Sequence, residues 1–337
     1  MHYISPDAHQ FKANLHSHSC LSDGKLTPEE MARAYRERGY SILAITDHEA
    51  PYDHTDLSRD DFLMLTGYEI YIRSSPKCEF DPFKPEIHIN LLAKEPHNIA
   101  FVAFDPNFCK YMPAEVAAGR EKRGELGPRR YEREYIRSVI REAVKAGYLV
   151  TYNHPNWSME EPEEILHYDG ILSLEIFNTG SQVMNGHEAN IGLFDRMLRH
   201  GMRPFVHGAD DNHNTHPFDH VLNDSFGAWT MIMAKELSYG AVIEALEKGD
   251  FYASTGPEIR ELSFEGREVL LRCSNARQII MNISPKRSPS VCAESGGVIN
   301  EARFQIPDYA PYVYFTVLTA DGKSAHTRAF TREELGI

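Results

Sequence analysis

The residues that could do chemistry in this chain are histidines and carboxylates, and they arrive in a pattern. The stretch LHSHSCLSDG, residues 15–24, sets His16 and His18 two apart, with Asp23 five further on. In extended backbone, residues two apart point the same way, so His16 and His18 can grip one ion. Neutral imidazole and carboxylate are good donors for zinc, manganese or iron. Further donors each follow or sit within an apolar run: His48 ends ILAITDH, Glu69 ends FLMLTGYE, His88 lies in EIHINLL, His154 ends GYLVTYNH, and Asp210, Asp211 and His213 lie in GADDNH. A lone histidine at a strand end is more often a surface or hydrogen-bonding residue; it is the joint placement after successive runs that favours a multinuclear metal site. One carboxylate such as Glu69 can bridge two ions, and two ions about 3.5–4 Å apart can hold a hydroxide and stabilise both attacking and leaving oxygens. That chemistry needs no activated serine or cysteine, and the chain has no GxSxG, no Walker loop and no GxGxxG after a strand. His207 and Asp210 are candidate catalytic residues: His207 as a donor behind a ligand or a substrate contact, Asp210 as an alternative to Asp211. The remaining histidines (His2, His9, His54, His97, His167, His187, His200, His216, His220 and His326) read as solvated or hydrogen-bonded.

These groups have to be carried by elements. The runs YSILAIT, FLMLTG, IHINLLA, GYLVTY, GILSLEIF and RPFVHG are apolar without alternation, as in parallel strands covered on both faces. Helical patterns lie between them. Thr27, Pro28 and Glu30 form an N-terminal capping box, and Met31, Ala34 and Tyr35 follow at helical spacing. A second helix is expected over 131–146, with Ile136, Val139, Ile140 and Val144 on one face; others over about 187–200 and 239–248. Repeated strand–helix units mean an α/β fold, a barrel or an open sheet. In a parallel barrel the C-terminal strand ends share one face, which would collect the donors. After FYASTGPEI the chain turns to short strands, with an Asp321-Gly322 turn, so a small all-β, sandwich-like domain is expected over 258–337 behind a larger one over 1–257.

Composition bounds the class. Hydrophobic residues make up 42% of the 337 and charged residues 25%, which predicts a packed core rather than disorder. The net charge of −14 disfavours a stable nucleic-acid complex. Five scattered cysteines (Cys20, Cys78, Cys109, Cys273 and Cys292), none in CxxC, give neither a disulfide framework nor a thiolate zinc site. No run reaches membrane-spanning length and no signal peptide is visible, so a cytoplasmic protein is the expectation.

HSHSCLSDG…TPEEMARAYRERGYSILAITDH resembles the opening of the polymerase and histidinol phosphatase (PHP) superfamily, and YE, IHINLL, NHP and DNH follow in that family's order over about residues 12–255. The resemblance implies a distorted (β/α)7 barrel with two or three divalent ions, zinc, manganese or iron. It implies that His16, His18, Glu69 and Asp211 hold one ion, that Glu69, His88 and His154 hold a second, and that Asp23, His48 and His213 hold a third. Asp47 would orient His48 or another ligand. GDFYASTGPEI followed by a small β domain is similar to the stand-alone two-domain branch that includes carbaryl-hydrolase-like members, which leaves the scissile bond open.

Residues 109–134 form the clearest basic island. As a lid it would bring Arg123, Arg129 and Arg130 to a phosphate, since guanidinium binds phosphate bidentately; the plainer reading is a solvated surface segment. Glu175 and Asn178 end a strand and either face the site or cap the next helix. The expected activity is hydrolysis of a small phosphate ester or nucleotide by a metal-bridging hydroxide. The alternative is hydrolysis of carboxyl esters, amides or carbamates in the same site, which would favour an apolar pocket over arginines. A non-catalytic binding module is disfavoured because no expected ligand is lost. The oligomeric state is not legible.

Overall fold

The protein is described by a computed structural model covering residues 1–75 and 79–337; Cys78 lies outside the described residues. It is a mixed α/β fold built on a large sheet. The path through that sheet runs Phe205–Ala209, Ser173–Asn178, Tyr148–Tyr152, Glu86–Ala93, Leu63–Arg73, Ile42–Ile45, Gln10–Asn14, Trp229–Met233 and Phe251–Ser254. Two sections are parallel, Gln10–Asn14 with Ile42–Ile45 and Leu63–Arg73, and Tyr148–Tyr152 with Ser173–Asn178 and Phe205–Ala209. Between them Glu86–Ala93 is antiparallel to both neighbours, and Trp229–Met233 is antiparallel to Gln10–Asn14.

The wholly parallel arrangement expected from the apolar runs is therefore corrected. Every residue of Glu86–Ala93 is buried, so its run is continuous whichever way the strand points. Its direction is antiparallel to both neighbours, which a continuous apolar run does not reveal.

The helices lie close to expectation. Both halves of the Thr27/Glu30 capping box form, and Met31, Ala34 and Tyr35 are buried along Pro28–Glu37. The helix Arg133–Lys145 buries Ile136, Val139 and Ile140, but Val144 is exposed and Ala143 takes the inward place. Ile191–Arg199 and Tyr239–Lys248 supply the other two. No helix among the described residues is long and apolar enough to cross a membrane.

From Ile259 onward the described elements are strands and one short helix, Arg332–Leu335. Ile259–Glu265, Glu268–Ala276 and Ile299–Gln305 form a four-stranded sheet whose remaining strand is the N-terminal His2–Ile4. The other late strands extend the large sheet, because Ser324–Thr327 pairs with Phe251–Ser254. Ile4, Leu262, Phe264, Leu271, Met281 and Phe315 pack between these layers as one core.

The loops after Gln10–Asn14 and Phe205–Ala209 meet. His18 donates its backbone N–H to Asn212 O at 3.0 Å, and Asp211 to His16 O at 2.9 Å. The two donor-bearing loops are thus fastened to each other before any side chain is considered.

Candidate metal centre

The loop after Gln10–Asn14 is shaped by Asp47. Its carboxylate accepts from Ser19 N at 2.7 Å, Ser19 Oγ at 2.6 Å and Ser22 Oγ at 2.6 Å, so it orients the segment between His18 and Asp23 rather than His48 alone. A Cβ on Gly24 would stand 2.2 Å from His18 O, so only glycine lets this loop close. Glu69 is not at a strand end but inside Leu63–Arg73. His88 is the third residue of its strand: because that strand runs antiparallel, its early residues face the site that its neighbours reach late. His154 and Asp211 have φ of 24° and 52°. Both are non-glycine residues in the left-handed region, a strained placement that clusters at functional sites.

Glu69 is the hub. Its Oε1 lies 3.3 Å from His16 Nε2 and 3.2 Å from His88 Nδ1; its Oε2 lies 3.0 Å from His48 Nδ1 and 3.5 Å from His18 Nε2. Asp211 Oδ1 is 3.0 Å from His18 Nε2 and 3.2 Å from His16 Nε2, and Asp211 Oδ2 is 3.7 Å from His154 Nε2. Asp23 meets His213 at 3.4 Å and His48 at 3.7 Å. Donors bound at about 2.0–2.2 Å to one ion stand roughly 3–3.5 Å apart, which is the spacing found here. Four groups have mutually close donor atoms: His16, His18 and Glu69; His16, His154 and Asp211; His48, Glu69 and His88; and His18, Asp23, His48 and His213. All nine expected donors are brought together, with His16, His18, His48 and Glu69 each shared between two groups.

Neighbouring carboxylates fix the rings. Glu175 Oε1 takes His16 Nδ1 at 2.9 Å and turns Nε2 to the centre; Glu175 Oε2 accepts from His154 N at 2.8 Å. Glu86 Oε1 holds His88 Nε2 at 2.7 Å, leaving Nδ1 for Glu69. Asn178 does both things expected of it, capping Ser181 N at 2.7 Å and reaching Asp211 Oδ2 at 3.1 Å. Such partners set the tautomer and basicity of a ligating histidine.

The electrostatics follow from burial and proximity. Burial alone would raise Glu69; the His88, His16 and His48 imidazoles overcome it and hold the carboxyl well below its usual range. Burial opposes a charge on His88, yet Glu69 and Glu86 push it up to about 10. Burial, then His48 and His213, push His18 down to about 4. His18 Nδ1, His48 Nδ1, His88 Nδ1 and Glu69 Oε2 are buried without a well-formed hydrogen bond. Buried polar atoms are rarely left so, and a set of such nitrogen and oxygen donors aimed at one another fits divalent cations.

The other expected site residues do not line the cavity at the donors. Asp210 is buried behind the centre, accepting from Tyr35 Oη at 2.7 Å, Thr179 Oγ1 at 2.6 Å and the backbone N–H groups of Phe226, Gly227 and Ala228; no capacity remains for catalysis, and Asp211 faces the donors. His207 is equally buried, with Nδ1 2.9 Å from Ser173 Oγ and Nε2 3.9 Å from Glu175, behind the residue that holds His16. The arginines do not reach the site. Arg123 and Arg130 are exposed and pair with Glu121 and Glu125, and Arg129 is buried against Glu49.

The donors open into a cavity of about 380 Å³ whose walls include Tyr71, Arg73, Phe80, Tyr111, Trp157 and Met184. None was singled out from the sequence. Tyr71 and Arg73 stand two and four residues beyond Glu69 on the same face of one strand, a period-two signal that would have found them. Arg73 Nε pairs with Glu86 at 2.5 Å.

A model of the PHP domain matches residues 13–104. Among curated proteins the chain is similar to the error-prone DNA polymerases of Mycobacterium bovis and Mycobacterium tuberculosis, at 29% identity over 126 residues, 36% of this chain and 10% of the polymerase. It thus spans about a tenth of those relatives' length. Among solved structures it is similar to a two-domain protein containing a predicted PHP-like metal-dependent phosphoesterase from Bacteroides vulgatus, with 16% identity, TM-score 0.46, and coverage of 97% of this chain and 96% of that one. An amidohydrolase from Chromobacterium violaceum has 17% identity and TM-score 0.38, over 60% of this chain and 87% of that one. The donors from His16 to His88 fall within the segment that the PHP-domain model matches.

Proposed function

We propose that the protein is a metal-dependent phosphoesterase acting on a small phosphate ester. The observation that carries this reading is the set of buried, unpartnered donor atoms converging on Glu69 at the floor of an open cavity. His16, His18, Glu69 and Asp211 would hold one ion, with His154 close by; Glu69, His48 and His88 would hold a second; Asp23, His48 and His213, with His18 Nδ1, would hold a third. Bound there, divalent ions lower the pKa of water and neutralise charge developing on phosphoryl oxygen. The protein's own part is to fix the ring tautomers through Glu175 and Glu86 and to wall the floor with Tyr71 and Trp157. In this reading the seven strands from Phe205–Ala209 to Gln10–Asn14 are a distorted barrel, residues 1–257 are the hydrolase domain and residues 258–337 a small all-β domain.

A second reading, hydrolysis of carboxyl esters, amides or carbamates, is favoured by the cavity wall. That wall includes the aromatic side chains Tyr71, Phe80, Tyr111 and Trp157 beside polar ones, and its one arginine, Arg73, is engaged by Glu86. Initial rates with manganese- or zinc-loaded protein on matched chromogenic esters separate the two. Chelator-sensitive turnover of a phosphomonoester or phosphodiester is expected; chelator-sensitive turnover of the carboxyl ester or carbamate alone would transfer the assignment to the second reading.

A further inference from the structure

Arg129 lies in the basic island, yet its side chain is 1% exposed. Its guanidinium is fully committed. Nη1 and Nη2 fork onto the two oxygens of Glu49, the Nη2 contact at 2.7 Å; Nη1 also donates to Tyr71 O at 2.8 Å, and Nε to Ala103 O at 2.9 Å. Its own backbone N–H is taken by Asp105 at 3.1 Å.

What it grips matters more than the grip. Glu49 directly follows the donor His48 and sits at φ 53°, a left-handed conformation that a glutamate adopts only when its surroundings impose it. Glu49 N–H donates to Glu69 O at 2.8 Å, and Glu49 Oε1 accepts from Tyr71 N at 3.1 Å. The Tyr71 ring in turn stands 5.4 Å from His48 and 5.4 Å from His88, centroid to centroid. One guanidinium therefore ties the turn carrying His48 to the strand carrying Glu69 and to the base of the 105–129 segment.

We infer that Arg129 is a positioning residue: it locks Glu49 and thereby fixes His48 and Tyr71 at the outer side of the metal centre. The inference rests on the metal-centre reading above. A buried fork of this kind is not replaceable by a lysine, which offers a point charge without the planar geometry. His16 and Asp211 have their own supports in Glu175 and Asn178, away from Glu49 and Arg129.

The test is titration of the full-length, metal-stripped protein and its variants with cobalt(II) alone, read by the visible d–d absorption of the bound ion and by total cobalt retained. R129K and R129M are expected to weaken the two ions that share His48 by about 10–100-fold, the range for removing a support behind a ligand, and to leave the absorption of the ion held by His16, His18 and Asp211 unchanged. The double variant Glu49→Met with Arg129→Met removes both charges, avoids an orphaned buried ion and keeps the experiment informative if a single variant fails to fold. It should weaken the same two ions, because His48 loses its anchor. Loss of every ion in parallel, or of none, would overturn the inference. A wild-type protein that takes up no cobalt would instead overturn the metal-centre reading itself, and this inference with it.

Discussion

The metal centre has two ends built differently. At the inner end His16, His18 and Glu69 have fully buried side chains; Glu175 backs the His16 ring and Asn153 donates to Glu69. At the outer end the Asp23 and His213 side chains are 37% and 29% exposed and lie on loops. The difference teaches where rigidity comes from. Inner donors are held by the sheet and by buried carboxylates; outer donors depend on braces around a turn, the Ser19–Asp47 contacts on one side and Glu49–Arg129 on the other. Ion exchange is therefore expected to begin at the outer end, and the ends should respond separately to substitutions that touch only one of them.

The residue that spans both ends is Glu69, so its loss should have the largest effect. Glu69→Gln keeps the shape but removes the charge that faces His16, His18, His48 and His88. Affinity for more than one ion should fall by more than about 100-fold, beyond the range for a mere supporting group, and chelator-sensitive hydrolysis should vanish. Retained metal measured by atomic absorption checks this; loss of a single ion with the others intact would show that Glu69 does not join the two ends.

Glu175→Gln should come next and act at the inner end alone. It removes the charge that fixes His16 with Nε2 toward the centre, while Asp23, His48 and His213 lie beyond its contacts. A fall of about 10–100-fold in the affinity of one ion is expected, with the outer-end cobalt absorption unchanged. Equal weakening at both ends would dissolve the distinction between them.

How much of this was legible in the sequence follows the same division. Eight of the nine candidate donors could be read because each follows or interrupts an apolar run, and two-residue and strand-end spacing survive in one dimension; Asp23, in the loop after His18, was placed by the resemblance. The capping box at Thr27 was legible for the same reason: its partners are three residues apart. What could not be read was direction and pairing over distance. A strand buried on both faces looks the same either way round, which hid the antiparallel course of Glu86–Ala93. Asp210 and Asp211 are adjacent and chemically alike; a positive φ at Asp211 and the waiting N–H groups of residues 226–228 decide which one turns inward to structure and which toward the donors. Arg129 could not be told from its exposed neighbours Arg123 and Arg130, because its acidic partner, Glu49, is distant in the chain.

The smallest effect should come from that same basic island, and it isolates the point. Arg129 and Arg130 are neighbours in sequence with opposite surroundings: one is buried on a distant glutamate beside a metal donor, the other is exposed on Glu125, five residues away. Exposed pairs of long side chains gain little in water because screening and side-chain entropy offset the attraction. Arg130→Ala, alone or with Arg123→Ala, should leave the melting temperature, cobalt stoichiometry and KM for a phosphate ester unchanged. A raised KM with kcat intact would restore these arginines as substrate contacts and mean that the segment closes over the cavity when substrate binds. An unchanged KM, set beside weakened ions in R129M, would show that the basic island serves the outer end through one buried arginine and not through its surface charge.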